Sequence, residues 1–249
     1  MKIVAIIPAR MGSSRFPGKP LTPILGKTMI EHVYQRVALC AQLDETVIAT
    51  CDEEIRQAAE AFGARVIMTS ADHERASDRV AEAALELEAD IIVMVQGDEP
   101  MIYPDMIEAA VAPLRDNAEL GCVNLSRRIE SLEEYRNPDT IKVVNDLQGN
   151  AMYMTRAPVP TLTAAGLTDT IVLKQVCVIV FTRSELELYS RLAPTPLERF
   201  ESVDMLRLLE HGRTVHMVPT DRDTIAVDHP NDVLRVEELL ANDALMASY

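Results

Sequence analysis

The stretch VAIIPARMGSSRFPGKPL (Val4–Leu21) changes character half-way along. It begins as an apolar, β-branched run, the pattern of a strand buried on both faces. It continues with two arginines, two serines, two glycines and a lysine. In an open parallel sheet, ligands bind beyond the carboxyl ends of the strands. Glycines let a backbone approach an anion, and arginine and lysine neutralise it. The stretch therefore predicts a parallel α/β sheet whose first loop holds phosphates, with a nucleoside triphosphate as the natural ligand. The plainer reading is a solvated basic loop with Pro17-Gly18 as a turn. Three cations, Arg10, Arg15 and Lys19, at a strand end weigh against it. The loop is not a Walker A motif, because five residues separate Gly12 from Gly18 and Pro20 follows Lys19. A G-x-G-x-x-G is absent too.

The pattern continues outward from this stretch. MIEHVYQRVALC (Met29–Cys40) has apolar residues at helical spacing, TVIAT (Thr46–Thr50) reads as a strand and EEIRQAAEAF (Glu53–Phe62) as a helix. RVIMT (Arg65–Thr69), RVAEAALELE (Arg79–Glu88), DIIVMVQ (Asp90–Gln96) and PDMIEAAVAPL (Pro104–Leu114) repeat the alternation. Such alternation predicts a mostly parallel, Rossmann-like sheet between two helix layers. From about Gly121 strand-like segments dominate. PLERFESVDMLRLLEHG (Pro196–Gly212) reads as a helix ending at Gly212, TIAV (Thr224–Val227) as a short strand, and HPNDVLRVEELLAN as a last helix. The expected organisation is one α/β domain with a mixed α/β lobe inserted at about Asp116–Arg213.

The chain has 249 residues, 48% hydrophobic and 25% charged, with a net charge of −15. An acidic surface argues against a nucleic-acid or anionic-membrane partner and makes the cationic loop a local exception. The four cysteines show no metal-binding spacing and read as reduced core thiols of a cytoplasmic protein. The apolar start Met1–Pro8 is too short for a signal peptide or a membrane span.

Two carboxylates attract attention. Asp98 follows a buried strand within QGDEP, where it would serve either as a magnesium ligand beside the phosphates or as a turn cap. Asp228, in VDHPND, stands just ahead of the last helix, and a helix-start role competes with metal binding there.

IIPARMGSSRFPGKPL resembles the opening of cytidylyltransferases that activate acidic sugars, most nearly the CMP-Kdo synthetases (Kdo is 3-deoxy-manno-octulosonate). MTSADH, VQGDEPM, NPDTIKVV, AMYMTRAPVP, PLERFESVDMLR and AVDHPNDVLRV extend the resemblance, in order, over almost the whole chain. It implies a three-layer nucleotidyltransferase fold and transfer of CMP from CTP to an anionic acceptor, with release of pyrophosphate. Arg10, Arg15 and Lys19 would neutralise the phosphates. Ala9, Ser13, Ser14, Asp72, Arg79 and Gln96 would bind the nucleotide. Asp98 and Asp228 would hold Mg2+. Lys142, Tyr153, Arg156, Gln175, Glu201 and Asp204 would face the acceptor. A homodimer through the segment Gly121–Thr182 is implied as well.

The resemblance also has gaps. DHERASDR (Asp72–Arg79) replaces the family's D-H-x-S-G-T-[DE]-R. Where Kdo enzymes carry H-x-G-x-Y, this chain has Gln175–Ile179, without the histidine or the tyrosine. A polyol acceptor left without partners is poorly recognised. The sequence expectation therefore leans to a compact acid such as a small phosphonate, with ordinary Kdo transfer as the alternative. A non-catalytic nucleotide sensor is the rival of another class, and the joint presence of Lys19, Asp98 and Asp228 argues against it.

Overall fold

The structure, a computed structural model, describes residues 1–12, 15–168 and 170–249. The expected nucleotide ligands Ser13 and Ser14 lie outside the described residues. The fold class is α/β, as the alternation predicts. The chain divides into two compact units, Met1–Glu108 with Asp223–Tyr249, and Ala109–Arg222.

The first unit begins with β1 (Ile3–Ala9), every residue of which is buried. A small hairpin, β2 (Pro23–Ile24) and β3 (Lys27–Thr28), leads into α1 (Met29–Ala38). Thr28 caps α1 by accepting the Glu31 N–H at 3.3 Å. Then follow β4 (Glu45–Thr50), α2 (Glu53–Ala61), β5 (Arg65–Met68), α3 (Ala76–Ala84) and β6 (Ile91–Val95). The four main strands run parallel in the order β6-β1-β4-β5. The chain thus leaves β1 toward β4 and later returns past it to β6. The loops after β1 and β6 diverge there, at the topological switch point where open α/β sheets hold ligands. Gly97, two residues beyond β6, lies so close to β1 that a Cβ would stand 2.8 Å from the Pro8 carbonyl oxygen. Only glycine permits that approach.

The division between the units falls within α4 (Pro104–Asp116). The second unit contains β7 (Cys122–Arg128), α5 (Leu132–Arg136), β8 (Lys142–Asn145), β9 (Ala151–Thr155) and β10 (Leu173–Thr182). It continues with α6 (Arg183–Arg191), α7 (Pro196–Glu201), α8 (Met205–Glu210) and β11 (His216–Pro219). β7 pairs with β11 in parallel and with β10 antiparallel, while β8 joins β10 to β9. The chain then returns to the first unit with α9 (Pro230–Leu240).

Three local expectations change. The helix read as Arg79–Glu88 is shifted to Ala76–Ala84, so Arg79 lies inside it and is buried. The single helix read over Pro196–Gly212 is two, α7 and α8. Ser202 breaks it with a left-handed backbone (φ 55), which no helix continues through. Thr224–Val227 forms no strand. It is tied toward β6 by the Val227 N–H, donated to the Asp98 carbonyl at 2.9 Å. Among the described residues, no helix is long and apolar enough to cross a membrane.

Candidate active site

The cationic loop and the two carboxylates meet in the first unit. Lys19 opens a short 3-10 turn after Gly18, and the positive φ of Gly18 (75°) favours glycine. The Lys19 ammonium donates to Asp98 Oδ2 at 2.7 Å and to the Val227 carbonyl at 2.8 Å. Arg15 Nη2 donates to Asp228 Oδ1 at 2.6 Å. With the Val227–Asp98 backbone bond, these contacts gather residues from the β1 loop, the end of β6 and the approach to α9. Ala9 ends β1 and is buried, Arg10 is exposed, and Gln96 is half-buried directly after β6.

The helix-start alternative for Asp228 is weakened by geometry. Asp232 Oδ2, inside the first turn of α9, accepts the N–H groups of Asp228 and His229 at 2.9 and 2.7 Å. Asp232 therefore caps this end, and the Asp228 carboxylate faces Arg15.

The donor set fits a magnesium ion in part. Asp98 and Asp228 would supply two hard oxygen ligands on adjoining segments, and Mg2+ takes few carboxylates and completes its octahedron with phosphates and water. Among the described residues there is no cluster of three potential ligands, so substrate oxygens would have to contribute.

The segment Asp72–Arg79, where the resemblance places nucleotide binding, is held by its own contacts. Arg79, 3% exposed, donates through Nη1 to Thr69 Oγ1 and the Ser70 carbonyl, while its Nη2 is buried without a hydrogen-bond partner. Asp72 is exposed and pairs with the Ser70 hydroxyl. His73 bonds Glu82, whose carboxylate also accepts the Ser70 N–H at 3.0 Å. Burial pushes the Glu82 carboxyl up, but Ser70 and His73 outweigh it and hold the group below its ordinary range. His73 is thereby tied to α3.

The residues expected to face the acceptor belong to the second unit. Glu201 is their centre: Oε1 accepts from Thr155 Oγ1 at 2.7 Å and Tyr153 OH at 3.0 Å, and Oε2 from the Arg156 N–H at 2.8 Å. Burial opposes its ionisation, and these donors with the Arg156 charge reverse that, leaving its pKa lowered. The Arg156 guanidinium donates to the carbonyls of Glu201 (2.7 Å), Pro138 (3.0 Å) and Ser202 (3.4 Å). Lys142 is fully buried, and its ammonium donates to the carbonyls of Asn137 and Thr140. Burial, then the neighbouring Arg156 charge, lowers its pKa. Lys142 therefore fastens the 137–140 turn. Gln175 donates to Asn124 Oδ1 at 2.6 Å, while Asn124 Nδ2 donates to the carbonyls of Val176 and Val178. That pair fills the irregularity in β10 between Val176 and Ile179. Asp204 is half-buried at the start of α8, where its carbonyl accepts the Arg207 N–H. Thr155 escaped sequence reading, although it stands two residues from Tyr153 on the same face of β9.

The sequence profile of the family described as Cytidylyltransferase matches residues 4–215. The chain belongs to the cytidylyltransferase family. It is a nucleotidyltransferase, and its similarities are full-length. A 3-deoxy-manno-octulosonate cytidylyltransferase of Geobacter metallireducens is 45% identical over 97% of this chain and 98% of the relative. One from Syntrophobacter fumaroxidans is 44% identical over 99% of this chain and 100% of its own. A solved CMP:2-keto-3-deoxy-manno-octonic acid synthetase complexed with CTP superposes with a TM-score of 0.89. It is 40% identical, covering 97% of this chain and 99% of that one. The CMP-Kdo synthetase resemblance therefore holds across the cytidylyltransferase chain. The phosphonate expectation finds no support among these relatives, and ordinary Kdo transfer fits them better.

Proposed function

We propose that this cytidylyltransferase transfers CMP from CTP to Kdo and releases pyrophosphate. The observation that carries the reading is full-length similarity, at 45% identity, to a relative named for that reaction. Relatives of the same length named for Kdo transfer also speak against a smaller acceptor. The argument for a phosphonate rested on polar side chains lost at Gln175–Ile179. Gln175 donates to Asn124, which in turn donates to the β10 backbone, so recognition of the acceptor falls to other residues. The polar cluster of Tyr153, Thr155, Arg156 and Glu201 offers hydroxyl, guanidinium and carboxylate groups suited to a hydroxylated acid.

The chemistry follows from charge. An acceptor hydroxyl attacks the α-phosphorus of CTP, the new O–P bond forms, the bond to the β-phosphate oxygen breaks, and the hydroxyl proton passes to solvent. Arg10, Arg15 and Lys19 offset the negative charge on the phosphates as pyrophosphate departs. Asp98 and Asp228 would hold Mg2+, which when bound polarises and aligns phosphate oxygens. Arg79, with its buried unpartnered Nη2, would bind the nucleoside, and Arg156 the acceptor's carboxylate. The reading includes a homodimer through Gly121–Thr182, supported by the exposed apolar side chains of Leu147, Met152 and Ile171.

Pyrophosphate release from CTP and Mg2+ tests the proposal against a panel of Kdo, a sialic-type acid and small phosphonates. Kdo should be the preferred acceptor. Efficient turnover of a phosphonate with none of Kdo would overturn the assignment, and CTP binding without release by any acid would point to a sensor.

A further inference from the structure

Asp52 occupies the N-cap position of α2 but does not cap it. Its backbone is extended (φ −102°, ψ 122°), as an N-cap residue should be, yet its side chain makes no bond to the helix. An aspartate at this position ordinarily accepts an N–H of its own first turn. Here Oδ2 accepts the Met11 N–H at 2.8 Å, with the Cys51 thiol at 3.6 Å from the same oxygen.

The main chain of Asp52 is itself held. Its N–H donates to Thr50 Oγ1 at 3.1 Å, and its carbonyl accepts the Arg56 N–H at 3.1 Å. Thr50 is fully buried at the end of β4. The carboxylate is thus carried by a rigid strand end and turned onto the cationic loop. Met11 directly follows Arg10, and its carbonyl accepts the Gly18 N–H at 3.1 Å, one residue before Lys19. Met11 is therefore gripped on both sides: Asp52 fixes where the loop starts, and Gly18 closes it.

We propose that Asp52 is a positioning residue for the nucleotide, holding through Met11 the loop shape that presents Arg10 and Lys19 to the triphosphate. The inference rests on the CTP reading above. It runs against simple electrostatics, and this makes it sharp. A negative charge near a polyanion site repels, so deleting it should tighten CTP binding if Asp52 acted through charge alone. Positioning demands the opposite.

Binding of MgCTP by calorimetry, with steady-state kinetics on the full chain, separates these cases. Asp52→Ala should raise the Kd and KM for CTP roughly ten- to a hundredfold, the size of a lost hydrogen bond to a charged group. The KM for the acceptor should hold within about twofold. Asp52→Asn keeps an acceptor oxygen and should recover most of the affinity. Asp52→Ser is a good helix cap too short to reach Met11. It secures the fold and should weaken CTP as alanine does. Unchanged or tighter CTP binding by Asp52→Ala overturns the proposal, as does an asparagine variant no better than alanine. A serine variant with wild-type affinity overturns it by showing that only capping matters. A wild-type protein that does not bind MgCTP overturns the nucleotide reading and this inference together.

Discussion

Lys19 and Asp98 form an ion pair of 2.7 Å across 79 residues of sequence, joining the loop after β1 to the end of β6. The lysine side chain is 12% exposed, so it lies inside the site and not on an open loop. Its second bond, to the Val227 carbonyl, brings the approach to α9 to the same place. One ammonium thus organises three segments that converge on the switch point. Lys19→Ala should cut turnover by about a hundred- to a thousandfold, as loss of a preorganised cation does. Asp98 keeps access to water, so the stability cost should stay near 1 kcal/mol, or roughly 2–4 °C in Tm. Wild-type turnover in a folded Lys19→Ala protein would end the phosphate-cradle reading.

Asp98→Asn and Asp228→Asn should each remove Mg2+-dependent turnover while leaving a folded chain. Asp232 provides the contrast. It caps α9, and Asp232→Ala should cost about 1 kcal/mol of stability, the usual worth of a cap, with turnover much less affected. Thermal melts beside activity at varied Mg2+ check the pair of expectations. A fully active Asp228→Asn would remove Asp228 from the metal site.

Arg156 is both a candidate carboxylate ligand and a tie between Pro138 and Glu201–Ser202. Arg156→Ala should raise the acceptor KM roughly ten- to a hundredfold, the worth of a charge-assisted bond, with CTP affinity held within about twofold. Arg156→Lys should recover little, because an ammonium cannot reproduce the planar, many-sided donor set. Equal losses toward CTP and acceptor would remove Arg156 from acceptor recognition.

The alternation of two-sided apolar runs with helical patterns made the first unit readable from sequence, because parallel strands must be buried on both faces. Seven collinear motifs carried the family. The missed features depend on tertiary bonds. Ser202 gives no local signal of its left-handed backbone within a run of good helix formers. Asp228 and Asp232 both look like helix-start residues, and only the hydrogen bonds decide between them. Gln175 reads as a pocket residue until its partner Asn124, 51 positions away, accounts for its amide. The phosphonate expectation finds no support among full-length relatives named for Kdo transfer: polar side chains missing from one strand do not identify an acceptor that other segments can bind.

A last expectation concerns pH. His32 is fully buried on α1, with Nε2 2.8 Å from the Ile24 carbonyl and Nδ1 3.1 Å from the Tyr249 hydroxyl. A carbonyl accepts only, so Nε2 carries the proton and Nδ1 is the acceptor in the neutral ring. Burial lowers its pKa below 6.5; Ile24 and Glu31 oppose this, while Lys27 and Arg36 add to it. A histidine that resists protonation when folded lends stability that is present in full above pH 6.5, the ordinary value, and is lost as pH falls below it. Its slope reaches at most about 1.4 kcal/mol per pH unit, or roughly 3–5 °C in Tm for a chain of this size. His32→Gln keeps a donor for Ile24 without titrating. The Tm of the wild type should therefore fall more steeply than that of His32→Gln between about pH 6.5 and 5. Melts at matched pH values read the difference, and parallel curves would show that His32 does not set the acid sensitivity of the fold.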